Sequence, residues 1–108
     1  MLRHYILEGH KAVLLDDLLG WARWFETAEL HVAHTQVTPN IRVSTVFLGV
    51  DHNFAGLGCP IIFETMVFGG PLDGEQERYS TWEEAESGHE AMLKRVNEYR
   101  QPISEIKL

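Results

Sequence analysis

Asp51-His52-Asn53 opens a glycine-rich loop, and Glu64 interrupts the apolar stretch that returns from it. A connecting loop does not require three polar groups in a row, and a carboxylate is costlier to bury than an apolar residue at the same place. The runs on either side, within residues 43–70, are rich in β-branched and aromatic residues, as in a hairpin of buried strands. With a symmetric loop, Val50 faces Ile61, Leu48 faces Phe63 and Phe47 faces Glu64. Thr45 then lies diagonally from Glu64 on the same side of the sheet. The candidate ligand-binding set is therefore Thr45, Asp51, His52, Glu64 and Arg78. In such a pocket Arg78 takes an anionic group, the carboxylates accept hydroxyl or amide hydrogens, and His52 reports pH. The plainer alternative has Asp51 and Asn53 bonding their own loop backbone and Glu64 pairing with Arg78 of the neighbouring strand.

Catalytic chemistry has less to stand on. No Ser-His-Asp or Cys-His order can be defended from spacing, so no catalytic residue is assigned. The histidines at 4, 10, 31, 34, 52 and 89 include no His-Glu-x-x-His motif, and Cys59, the lone cysteine, has no neighbouring base. His31 and His34, three residues apart, fall on opposite sides of a regular strand. A metal-dependent hydrolase using Asp51, His52, Glu64 and His89 is the enzyme alternative, and no metal or cofactor is assigned. His89 reads instead as a core histidine with a hydrogen-bond partner, and Gly88 beside it signals a close approach by another segment. Gly56 and Gly58 do not lead from a strand into a helix, so they do not form a phosphate loop.

Charge narrows the partners. A formal charge of −7 over 108 residues opposes direct binding to nucleic acid or to an anionic membrane. Between Asp73 and Glu90 seven carboxylates are opposed only by Arg78. Glutamates in the first turns of a helix favour its dipole. The sharper reading is a surface for a basic protein partner centred on Glu83, Glu84 and Glu86, even one imitating nucleic-acid phosphates. No apolar run spans a bilayer, the start has no signal-peptide pattern, and one cysteine makes no internal disulfide, so a cytosolic location is expected.

The elements that must position these groups follow from periodicity. Tyr5-Ile6-Leu7 and Ala12-Val13-Leu14 suit a short hairpin turning at Gly9. Asp16 or Asp17 then caps a helix to about Leu30, with Leu18, Trp21, Ala22, Phe25 and Ala28 on one face and Trp24 off it. Alternation from His31 to Val37, a turn at Thr38-Pro39-Asn40 and the strand 43–50 predict a second hairpin, with Thr35 near Ser44 and Ala33 near Val46. A short strand follows at Gln76–Tyr79. Ser80-Thr81-Trp82-Glu83-Glu84 carries the capping-box spacing, and Trp82, Ala85, His89, Met92, Val96 and Tyr99 form one helical face that Pro102 ends. The expectation is a single α+β domain, 1–108: an antiparallel meander with two helices packed on it as a two-layer sandwich.

Three strings carry a resemblance: Val43-Ser-Thr-Val-Phe-Leu-Gly-Val-Asp-His-Asn-Phe54, Phe63-Glu-Thr-Met-Val-Phe-Gly-Gly70 and Arg78-Tyr-Ser-Thr-Trp-Glu-Glu-Ala-Glu-Ser-Gly-His89. With Trp21-Ala-Arg-Trp-Phe-Glu26 and His31-Val-Ala-x-Thr35, the chain from about 21 to 90 resembles a family of small proteins of tailed phages and prophages. Ala55 and Cys59 depart from its pattern, which has glycine and proline there. The resemblance brings a setting, the cytoplasm of a bacterial host, and no catalytic residues. It implies a non-catalytic accessory module, an oligomer among the options, that counters host defence by sequestering a small anionic, nucleotide-like ligand. The alternative is that it occludes a host effector protein.

Overall fold

The computed structural model describes the backbone of residues 2–106 and the side chains of residues 2–99. The elements run β1 (Tyr5–Glu8), β2 (Lys11–Leu14), α1 (Leu18–Thr27), β3 (His31–Thr38), β4 (Ile41–Phe47), β5 (Phe63–Phe68), β6 (Gln76–Tyr79) and α2 (Trp82–Ile106). This is the expected α+β arrangement: an antiparallel β3-β4-β5-β6 meander with helices packed against it, and β1-β2 as a separate two-stranded sheet. Short loops between sequential strands make that order the simplest available.

The β1-β2 hairpin is fastened to the end of β4. Tyr5 N–H donates to Gly49 O at 2.8 Å, His4 bridges Val50, and Asp51 N–H donates to Arg3 O. Trp21 of α1 donates its indole N–H to the carbonyls of Tyr5 and Gly49, 3.0 and 3.1 Å away, which locks helix, hairpin and strand end together. Only glycine suits position 49: its φ is +77°, and a Cβ there would lie 2.7 Å from the Phe25 ring.

The inward face of α1 is rotated from the expected stripe. Trp21, Trp24 and Phe25 point inward, and Trp24 meets Phe47 edge-on at 5.8 Å, whereas Leu18 and Ala22 are exposed. A ten-residue helix held by three large rings is placed by those rings rather than by its small and aliphatic residues.

Val43, Thr45 and Phe47 of β4 lie opposite Val67, Thr65 and Phe63 of β5, all on the face covered by α2. From α2, Ala85, His89, Met92 and Val96 come down at steps of four, three and four and are all buried, as the periodicity predicts. Two apolar clusters result. Ile41, Val43, Val67, Met92 and Val96 form one, and Phe47, Ile62, Phe63 and Ala85 form the other.

Both predicted registers are off by one residue. Val46, not Phe47, pairs with Glu64, and Thr35 pairs with Val43, not Ser44. The long loop is not symmetric, because Val50 pairs with His4 instead of with Ile61. A one-residue slip exchanges the faces of a strand, so Thr45 and Glu64 lie on opposite sides of the sheet. Helix α2 also continues through Pro102 to Ile106, where a stop was expected. Proline removes one backbone donor, and a helix already several turns long propagates more easily than it nucleates. Among the described residues no helix is long and apolar enough to cross a membrane.

Candidate functional site

The five predicted ligand-binding residues do not form one constellation. Asp51 is buried, and its Oδ1 accepts the backbone N–H groups of Asn53 and Ile61 at 2.8 and 2.9 Å. Asn53 donates its side-chain N–H₂ to the carbonyls of Leu57 and Cys59. These two residues staple the 51–61 loop to itself. His52 donates Nδ1–H to Val50 O at 2.8 Å, and its ring lies beside Phe54. Arg78 Nε donates to Glu64 Oε2 at 2.9 Å on the sheet face away from α2. Thr45 is fully buried beneath α2. The structure therefore brings Glu64 to Arg78 and leaves Asp51 and His52 occupied by their own loop.

The acidic stretch is also partly spoken for. Glu84 Oε1 accepts from Ser80 N–H and Thr81 N–H, while Thr81 Oγ1 accepts from Glu84 N–H at 3.1 Å, which completes the capping box. Arg95 on α2 donates to Glu75 at 2.7 Å and comes within 3.8 Å of Glu77. Asp73 accepts the Gly69 N–H. Glu83 and Glu86 remain exposed, so Arg78 is not the only counter-charge once the chain is folded.

Between the two apolar clusters runs a hydrogen-bonded polar belt. His89, 1% exposed, bonds Thr45 Oγ1 through Nδ1 at 2.7 Å and Thr35 Oγ1 through Nε2 at 2.9 Å. Thr45 bonds Thr65, and Tyr79 donates its hydroxyl to Thr65 at 3.1 Å. A neutral imidazole supplies one donor and one acceptor, which two hydroxyls can complement. Burial pushes the His89 pKa below the usual 6.5, a shift that nearby Glu90 opposes and His34 reinforces. Burial likewise raises Tyr79. Gly88 lets this belt close, because a Cβ there would overlap the Tyr79 phenol. Every described member of the belt is hydrogen-bonded, so it ties β3, β4, β5 and β6 to α2 as a polar seam.

An open site lies at the start of α2. A cleft of about 560 Å³ separates the β1-β2 hairpin from Pro60, Ile62 and the Ser80–Glu83 segment. Such a volume lies within the roughly 300–1,000 Å³ range of small-molecule sites. Tyr5, Ala12 and Ile62 supply apolar wall. The Trp82 ring is stacked by His10 of the hairpin turn, with centroids 3.9 Å apart and planes 6° from parallel. Glu8, Lys11 and Glu83 line the cleft, and among the described residues none of them has an ion-pair partner. Trp82 Nε1 is, among the described residues, the one buried side-chain nitrogen or oxygen without a hydrogen-bond partner. Leaving such a donor unmade costs about 1–3 kcal/mol.

Sequence reasoning missed this site because its walls come from residues 5–12, 60–63 and 80–83. Of the lining residues only Glu83 is among the sequence candidates, as part of the acidic surface with Glu84 and Glu86. The available signal was a tryptophan beside the helix cap, opposite a hairpin ending in Gly9-His10.

Comparison with known proteins returns no relative: no family model, no curated protein and no solved structure matches the chain.

Proposed function

We propose that the chain is a non-catalytic binding module whose cleft between the β1-β2 hairpin and the start of α2 takes a flat, nucleotide-like small molecule. The observation that carries the proposal is the Trp82 wall. Its indole face stacks on the His10 ring, and its buried N–H has no partner among the described residues. Stacking of a base on an aromatic side chain is worth about 1–3 kcal/mol and tolerates different bases. Glu8 and Glu83, in no ion pair with a described residue, suit exocyclic amines or sugar hydroxyls, and Lys11, likewise, suits a phosphate. In a phage or prophage setting, such a module acts by sequestration, holding a small signal without transforming it.

The cleft replaces the Thr45, Asp51, His52, Glu64 and Arg78 set as the proposed binding locus, since Glu64 and Arg78 bond each other, Asp51 and His52 bond loop backbone, and Thr45 bonds His89 and Thr65. Calorimetric titration with cyclic nucleotides and ADP-ribose-type compounds tests the proposal. Saturable binding of one molecule per chain is expected, weakened by Lys11→Ala or Glu83→Gln and weakened most by Trp82→Leu. Absence of heat and of thermal stabilisation with every one of these probes overturns it.

A further inference from the structure

The register of β3 against β4 is broken at Val32: His31 pairs with Val46, whereas Ala33 already pairs with Thr45. The extra residue is a β-bulge, which re-aims the side chains around it. His34 pairs with Ser44, so His31 and His34, three apart in sequence, share the sheet face away from α2. That reverses the expectation for a regular strand. Their rings meet edge to face, with centroids 6.0 Å apart and planes at 83°. Both are exposed on β3, an edge strand of the sheet.

Glu29 sets the orientation of the first ring. Its Oε1 accepts the His31 backbone N–H at 2.9 Å and lies 3.2 Å from His31 Nδ1. A carboxylate only accepts, so Nδ1 carries the proton and the lone pair is on Nε2. A carboxylate fixing one ring nitrogen while the other faces a metal is the usual outer-shell arrangement around histidine ligands. Two imidazoles on one tetrahedral zinc, with Zn–N of about 2.0–2.1 Å, hold their ring centroids about 5 Å apart. Exposed side chains cover the remaining difference by ordinary rotamer motion.

The geometry points to a surface site in which His31 and His34 together ligate a divalent transition-metal ion, with Glu29 as the positioning residue. Imidazole nitrogen favours Zn²⁺, Cu²⁺ or Ni²⁺ over the oxygen-seeking Mg²⁺ and Ca²⁺. Among the described residues no group of three or more histidines, cysteines or carboxylates could hold a metal. The ion is therefore held by two protein nitrogens, with water in its other positions, and an excess of negative charge on the chain favours its approach.

Nitrogen NMR of the six imidazoles during titration of the full chain with Zn²⁺ tests the site. The His31 and His34 signals are expected to move together and saturate at one equivalent, with His4, His10, His52 and His89 unmoved. His34→Asn is expected to abolish saturation at His31, and His31→Asn the same at His34. Glu29→Gln is expected to weaken the site by about tenfold while leaving the thermal melt unchanged. Mg²⁺ at the same concentration is expected to do nothing. Signals that shift singly, fail to saturate, or move in parallel at all exposed histidines mean adventitious surface binding only, and overturn the proposal. So does an unchanged His31 response in His34→Asn.

Discussion

Thr45→Val is the sharpest probe of the polar belt, because it removes a hydroxyl from a fully buried position and leaves the shape of the side chain intact. Thr45 Oγ1 serves His89 Nδ1 at 2.7 Å and Thr65 on the facing strand. Valine leaves the imidazole Nδ1 and the Thr65 hydroxyl each short of one partner, in a place water does not reach. At about 1–3 kcal/mol for each orphaned group, the loss is about 2–4 kcal/mol after partial relaxation. Unfolding entropy of about 2.1 cal/mol/K per residue makes 1 kcal/mol worth about 4 °C in a chain of 108 residues. The expected fall in Tm is therefore about 8–16 °C. Thr35→Val orphans only His89 Nε2 and should cost about half as much. Urea unfolding followed by tryptophan fluorescence, alongside calorimetry, measures both. A Thr45→Val chain within about 0.5 kcal/mol of wild type, or one no worse than Thr35→Val, would refute the reading of the belt as a fully committed network.

Three further perturbations follow from the same geometry. His89 has a folded pKa below its unfolded 6.5, so its neutral form supports the fold above that pH. Stability should fall as pH drops below 6.5 through the folded value, by at most about 1.4 kcal/mol per pH unit, and the His89→Gln chain should lack that slope in urea titrations from pH 7 to 5. Gly88→Ala gains about 1 kcal/mol of helix propensity but drives a methyl into the Tyr79 phenol. A net loss of about 1–2 kcal/mol is expected by chemical denaturation, and a net gain would contradict the contact. Asp51→Ala frees two loop N–H groups and should cost about 1–3 kcal/mol. Protease nicking confined to 51–61 is its expected signature, and a loop that stays resistant would count against the staple.

What the sequence made legible was whatever depends on local spacing. The capping box at Thr81 and Glu84, the buried face through Ala85, His89, Met92 and Val96, and the close approach at Gly88 follow from periodicity and cap chemistry alone. The plainer reading of Glu64 with Arg78, and of Asp51 and Asn53 with their loop, also describes the fold. Register was not legible, since it turned on His4 taking Val50 as its partner from 46 residues away. A bulge is one inserted residue with no composition of its own, so Val32 gave no warning that His31 and His34 would meet. Arg95 neutralises Glu75 and Glu77 only because α2 crosses the sheet beside β6. The inward turn of Trp24 over Leu18 belongs to the same class, a choice made by ring packing against Phe47. The cleft needed three distant segments to be brought together before it existed.

The most direct test of the binding proposal is the indole N–H spectrum of the three tryptophans during nucleotide titration. Trp21 donates to two carbonyls and serves as the internal reference, whereas Trp82 has no acceptor among the described residues. A Trp82 signal that moves and saturates with ligand, while the Trp21 signal holds still, is the predicted result. A Trp82 signal that stays fixed at saturating concentrations of every cyclic and ADP-ribose-type nucleotide contradicts it.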